Sequence, residues 1–217
     1  SVQEMADFMD LAFELAFRYR NPVMILSDGV IGQMMEKVVL PPQKPRLSDE
    51  EVMRKYPWAS FGRVGGRKPN IITSLELKPE VMEERNIHLQ KKYQECKEKE
   101  TRCETIMMDD AEYAVVAFGS MARIAEKAVE LARENGIKAG LFRPITLWPF
   151  PDKQIADLCN HCKGILVAEM NAGQMIDDVR LAVNGRVPVK HYGRQGGIVP
   201  DPSEIEEELN KLRNYAK

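Results

Sequence analysis

"EYAVVAFGSMARIAEKAVELARENGIKAGLF", residues 112–142, decides the fold. It opens on a short apolar run that stops at Gly119, too short for a helix and too continuous for a strand with one wet face. Such a run suits a parallel strand covered on both sides. Apolar positions then recur at helical spacing as far as Gly136, a residue suited to a helix stop. "IKAGLF" is apolar again, so strand, helix and strand follow within about thirty residues, the length of one βαβ unit.

The same rhythm continues to the end of the chain. "PDKQIADLCNHCKG" (151–164) reads as a helix, "ILVAEM" (165–170) as a strand and "AGQMIDDVRLAVNG" (172–185) as a helix. "VPVKHYG" (187–193) reads as a fourth strand and "DPSEIEEELNKLRNYAK" (201–217) as a last helix. Strands alternating with helices of similar length predict an α/β three-layer domain around a parallel sheet.

Upstream the pattern is less regular. "SVQE" opens the chain as a capping box, Ser1 with Glu4, and the helix behind it is apolar almost all round, so it expects cover on more than one side. A start of that kind suggests part of something longer. "RNPVMILSDG" (20–29) reads as a buried strand ending in a turn. Residues 41–78 are rich in Pro, Gly and charge and form a long connector, ordered in part by what it crosses. From Pro79 to about Glu104 a charged helix with a sparse apolar face lies along a surface.

Bulk composition narrows the class. The 217 residues are 44% hydrophobic and 29% charged, with a net charge of −2. That balance describes an ordinary globular protein without a global pull toward nucleic acid or anionic membrane. No run approaches the roughly 20 apolar residues of a membrane span, and no leader pattern is visible, so the location expected is cytoplasmic. Among the four cysteines, Cys159 and Cys162 form a C-x-x-C, but Cys96 and Cys103 do not supply a second pair at zinc or iron–sulfur spacing. Helix-end thiols are the better reading, and no metal site is expected on this chain. The histidines (His88, His161, His191) are dispersed, and the Met34-Met35 and Met107-Met108 pairs are expected to fill irregular contacts.

In open parallel sheets, ligands and partners meet the carboxyl ends of the strands. There the sequence places Ser120, Arg143, Glu169, Asn171, Gly173, Gln174 and Arg194. Ser120, at a helix start, either faces an anion or is a plain N-cap. No glycine fingerprint or Walker lysine accompanies it. Arg143 leads "RPITLWPFP", a proline-stiffened segment whose aromatics either form a docking surface or pack beneath their own domain. "GRQGG" (193–197) either closes over an anion or turns the chain. Glu169, at the mouth of a buried strand, needs a partner, with Arg143 or Arg194 on the same rim.

Longer strings carry a resemblance. "SVQEM" through "NPVMILSDGVIGQMMEKV" (21–38), "FRPITLWPFP" (142–151), "AEMNAGQMIDDVRLAV" (168–183) and "HYGRQGGIVPDP" (191–202) resemble the alpha chain of the 2-oxoacid:ferredoxin oxidoreductases. The branched-chain ketoisovalerate and 2-oxoglutarate types are closer in flavour than pyruvate. The resemblance implies a thiamine diphosphate enzyme that joins a 2-oxoacid to coenzyme A, releases CO2 and passes two electrons through iron–sulfur clusters to ferredoxin. A beta subunit would hold the diphosphate and Mg2+, small ferredoxin-like subunits the clusters, and the whole would be a hetero-oligomer.

It further implies that residues 1–40 end a thiamine pyrimidine-binding domain. Residues 41–105 are then the connector and surface helix, and 106–217 a domain II like the transketolase C-terminal domain. The pyrimidine-contacting glutamate and the substrate contacts of the family come from an N-terminal segment without a match here. No catalytic or cofactor-binding residue transfers, and the piece is expected to be structural, assembly-forming and inactive alone. Glu169, Asn171, Gly173 and Gln174 would shape a rim toward a neighbour. The competing reading is a non-catalytic interaction domain of the same fold. A decarboxylating dehydrogenase beta chain fits "RPITLWPFP" and "NAGQM" poorly.

Overall fold

The structure, a computed structural model, describes residues 1–215 in two compact units, the first comprising 1–27 and 32–93 and the second 28–31 and everything described from Gln94 on. The second unit holds the sheet. β1 (Cys103–Ile106), β2 (Tyr113–Val116), β3 (Ala139–Pro144), β4 (Gly164–Glu169) and β5 (Val189–Gly193) lie in the order β1-β3-β2-β4-β5. The last four are parallel, in the register Val115↔Leu141 and Val115↔Leu166. α5 (Gly119–Glu134), α6 (Asp152–Leu158), α7 (Met175–Val183) and α8 (Pro202–Tyr215) connect or follow them. The final two residues of the helix expected to close the chain lie outside the described residues.

The apolar runs are buried on both faces, as their composition requires. Val115, Leu141 and Leu166 pack with Ala125, Ala128, Val129 and Leu209 of α5 and α8. Val116, Phe142 and Val167 pack with Ile155 of α6 and Val179 of α7. Each Val, Leu, Ile or Phe side chain so removed from water contributes about 1.5–3 kcal/mol. β1 departs from the sequence pattern, which extends the preceding helix to about Glu104. That helix, α4 (Pro79–Glu100), stops earlier, and "CETI" pairs antiparallel to β3, with Glu104 opposite Arg143.

The first unit contains α1 (Val2–Tyr19) and α3 (Asp49–Lys55), while α2 (Gly29–Gln33) begins in the second unit and ends in the first. The α1 capping box forms as expected, but none of its residues is buried. Residues 22–27 do not form the expected strand. No strand among the described residues pairs with them, and Met24 is 80% exposed. A strand needs a hydrogen-bonded neighbour, and apolar composition alone does not supply one.

The connector is more ordered than its composition suggests. Ser48 and Glu51 form a second capping box on α3. Tyr56 and Trp58 lie 4.9 and 5.5 Å from the Phe17 ring, and Arg67 donates to the Pro57 and Ala59 carbonyls. Of the methionine pairs, Met108 is buried against Ala111 and Phe142, whereas Met35 is 97% exposed and fills no contact.

Candidate functional site

The carboxyl ends of the parallel strands lead into α5, α6, α7 and α8, so four helix N-termini gather at one edge of the sheet. Each has unpaired backbone N–H groups and a positive dipole end, and an anion is the natural partner. At every one the chain supplies that anion itself.

Glu169, the last residue of β4, is 1% exposed. Its Oε1 accepts the Met175 amide at 2.8 Å and the Gln174 amide at 3.2 Å, and its Oε2 accepts Ile176 at 3.1 Å. The His191 imidazole on β5 stands 3.6 Å from the same oxygen. The carboxylate therefore caps α7. The intervening turn is tied by Asn171, whose Oδ1 accepts the Gly173 amide at 2.7 Å, and Gly173 has a φ of 109°, open only to glycine. Gln174 is the N-cap residue by position, but its side chain is exposed and makes no cap bond.

This overturns the pairing expected of Glu169. Arg143 instead binds Glu104 across the β1–β3 pair, with Nε at 2.8 Å and Nη2 at 2.6 Å. Arg194 binds Glu204 at 2.6 Å, on an oxygen that also accepts the Tyr192 hydroxyl at 2.8 Å. Burial, helped by the neighbouring carboxylate, pushes that phenol up to about 12. Backbone N–H groups satisfy Glu169, and both arginines have carboxylates beside them, Glu104 in the sheet and Glu204 on α8.

Ser120 is buried at the start of α5, and the anion it faces is Asp28. Asp28 Oδ2 accepts the Ser120 amide at 3.0 Å, and Oδ1 accepts the Ser120 hydroxyl at 2.9 Å. Sequence reading missed Asp28, which lies 92 residues away. At α6, Asp152 accepts the Lys153 amide at 2.8 Å, and ahead of α8, Asp201 accepts Ser203 at 2.9 Å.

Of the seven residues collected from the sequence, Ser120 and Glu169 are thus buried inside the unit. Arg143, Asn171, Gly173 and Arg194 are half-buried, and Gln174 is exposed. Trp148 of "RPITLWPFP" is 54% exposed, while Phe150 packs against the core. Cys159 caps the end of α6 and is half-buried. Cys162 is buried, donates to the Ala111 carbonyl at 3.8 Å, and is pushed by burial up to about 11, so it stays a thiol at neutral pH.

A diphosphate needs free N–H donors, cations or a metal. At this edge the helix N-termini hold carboxylates and the two arginines are paired. Among the described residues, no three His, Cys, Asp or Glu side chains gather as a metal site. The described residues do not fit a thiamine diphosphate–metal head group.

Comparison with known proteins gives the lineage. Residues 111–205 match the family model described as "Pyruvate:ferredoxin oxidoreductase core domain II", and residues 1–108 match "Pyruvate flavodoxin/ferredoxin oxidoreductase, thiamine diP-bdg". The ketoisovalerate oxidoreductase subunit VorB of Methanothermobacter thermautotrophicus is 42% identical, over 100% of this chain and 58% of the relative. The 2-oxoglutarate synthase subunit KorA of Methanothermobacter marburgensis is 32% identical, over 98% of this chain and 61% of the relative. The pyruvate synthase subunit PorA of Thermotoga maritima is 29% identical, over 77% of this chain and 46% of the relative. Among solved structures, a 2-oxoglutarate:ferredoxin oxidoreductase from Magnetococcus marinus shares the fold with a TM-score of 0.68 at 18% identity, over 91% of this chain and 38% of that one. The chain spans less than two thirds of the length of these relatives.

Proposed function

The chain belongs to the 2-oxoacid:ferredoxin oxidoreductase family, and from that premise we propose that it is part of the alpha subunit of an enzyme converting a 2-oxoacid and coenzyme A to acyl-CoA and CO2 with reduction of ferredoxin. The observation that carries this reading is the 42% identity to a ketoisovalerate oxidoreductase subunit along the whole of this chain. The same identity favours a branched-chain 2-oxoacid, with 2-oxoglutarate next at 32% and pyruvate behind at 29%.

In the assembled enzyme, thiamine diphosphate would supply the carbanion chemistry that splits CO2 from a 2-oxoacid. The residues described here do not fit its head group, so its diphosphate and Mg2+ belong in this reading to a beta subunit. The iron–sulfur clusters belong to small ferredoxin-like partners. This chain contributes the framework: residues 1–40 as the end of the pyrimidine-binding domain, 41–105 as connector and helix, and 106–217 as domain II. The exposed Gln174 and half-buried Asn171, Gly173, Arg143 and Arg194 would form a rim toward a neighbouring subunit, with Ser120 and Glu169 holding it in shape from beneath. The chain alone is inactive in this reading and works in the cytoplasm. No helix among the described residues is long and apolar enough to cross a membrane.

The test is anaerobic co-expression of the full reading frame with its neighbouring subunits, assayed by coenzyme-A-dependent viologen reduction across a panel of 2-oxoacids. Turnover that needs this chain and thiamine diphosphate, fastest with 2-oxoisovalerate, is the expected result. A fully assembled, cluster-loaded complex without turnover on any 2-oxoacid would replace this reading with a non-catalytic interaction domain. The carboxylates at all four helix N-termini are the observation that favours that second reading.

A further inference from the structure

Within the first 93 residues, only Asp28–Ile31 folds with the sheet unit, and both Ser27 and Gly32 beside it belong to the other unit. Two features hold these four residues in place. Ile31 is buried, and the Asp28 carboxylate spans two helix starts at once. Its Oδ1 accepts the Ile31 amide of α2 at 2.9 Å together with the Ser120 hydroxyl, while its Oδ2 accepts the Ser120 amide of α5. Gly119 leaves room for this. It has a φ of 60°, and a β-carbon there would come within 3.2 Å of Asp28 Oδ2.

α2 is five residues long, far below the length at which a helix is stable on its own propensity. Its order therefore depends on the cap. Neither of the two core clusters that hold the sheet together contains a residue from 28–31. The stretch itself is held by two side chains, the Asp28 carboxylate and the buried Ile31.

We propose that residues 28–31 are a releasable strap, seated on the carboxyl edge of the sheet by the Asp28 carboxylate, which comes free when that side chain is removed while the sheet and its helices stay folded. Two oxygens are essential to the device, because the α2 amide bonds Oδ1 and the α5 amide bonds Oδ2. Asparagine is as good an N-cap as aspartate for a single helix, but it has one acceptor oxygen and no charge for the α5 dipole. Asp28→Asn should therefore keep one helix start and lose the other.

Hydrogen exchange on the full chain, read by mass spectrometry, tests this. In Asp28→Ala, peptides covering 28–31 and 119–122 should exchange roughly tenfold faster, with β2 and β4 unchanged. Asp28→Asn should accelerate only one of the two peptides. Ser120→Ala, which removes a hydroxyl and keeps the amide, should give a smaller change in the same pair and serves if Asp28→Ala does not fold. The proposal is overturned if both peptides keep wild-type exchange in Asp28→Ala. It is equally overturned if the acceleration spreads to β2 and β4, for then the segment is part of the cooperative core.

Discussion

The two units treat apolar residues in opposite ways. In the sheet unit Val115, Val116, Leu141, Leu166 and Val167 are wholly buried, and each helix N-terminus at the carboxyl edge has a carboxylate of its own. In the other unit no residue of α1 is fully buried, Phe13 and Met24 are exposed, and so are Ile71, Ile72, Leu75 and Leu77. Apolar side chains exposed in this number are unusual for a unit that closes its own core. One unit closes its own core, and the other has the composition of an interior without the burial. Each unit contains one of the two tryptophans, Trp148 and Trp58 respectively, so single-tryptophan variants report on them separately.

The largest effect expected is in the sheet. Leu166→Ala, in the interior strand β4 between β2 and β5, should cost about 2–5 kcal/mol because it removes a side chain packed on all sides. Urea unfolding followed by Trp148 fluorescence would measure it. A loss well under 1 kcal/mol would mean that the sheet core relaxes freely and that the contrast between units is shallow.

Glu169→Ala comes next, at about 3 kcal/mol, since it strips acceptors from the Met175 and Ile176 amides, both on buried residues. Glu169→Gln keeps one acceptor and should cost about half as much. If Gln and Ala variants unfold at the same urea concentration, the carboxylate is not acting through these amides.

Legibility followed sequence distance. β2 to β5 and their helices were readable because apolar runs and helical spacing are local signals. β1 was not, since four residues directly behind a charged helix are too few to show a period of their own. Glu169 is visible as a charge at a strand mouth, but its partners are backbone amides, which carry no residue-specific signal, so the sequence points to Arg143 and Arg194 instead. Asp28 sat inside a readable turn, "SDG", yet its second helix start is 92 residues away. The strand expected at 22–27 failed for the opposite reason. Its apolar composition suits a strand, but no strand among the described residues pairs with it.

A smaller effect is on acid stability. Burial pushes the Asp28 carboxyl up, but hydrogen bonds from Ile31, Ser120 and Val30 together outweigh it and hold it below its ordinary 3.8. A carboxyl that is more acidic in the folded state stabilises the fold above pH 3.8 and loses that contribution as pH falls through the lower, folded value. Hydrogen exchange at residues 28–31 should therefore rise, once corrected for intrinsic rate, as pH drops below about 4, and the rise should be absent in Asp28→Asn. The same dependence in both variants would assign the acid sensitivity to another group.

The smallest effect is the most telling for the comparison. Met24→Ser replaces an apolar side chain that is already in water, so it should change the stability of this chain by no more than about 0.5 kcal/mol, followed through Trp58. A serine on the sheet core could not be so neutral, because burial is what makes the hydrophobic side chain count. The same substitution acquires a cost only where something covers residue 24. Co-purification of the variant with the neighbouring subunits therefore separates two cases: undiminished recovery leaves Met24 uncovered in the assembly, and a several-fold loss places it in a contact. A destabilisation of 2 kcal/mol or more in the chain by itself would show that the first unit buries this segment after all, and the difference between the two units would disappear.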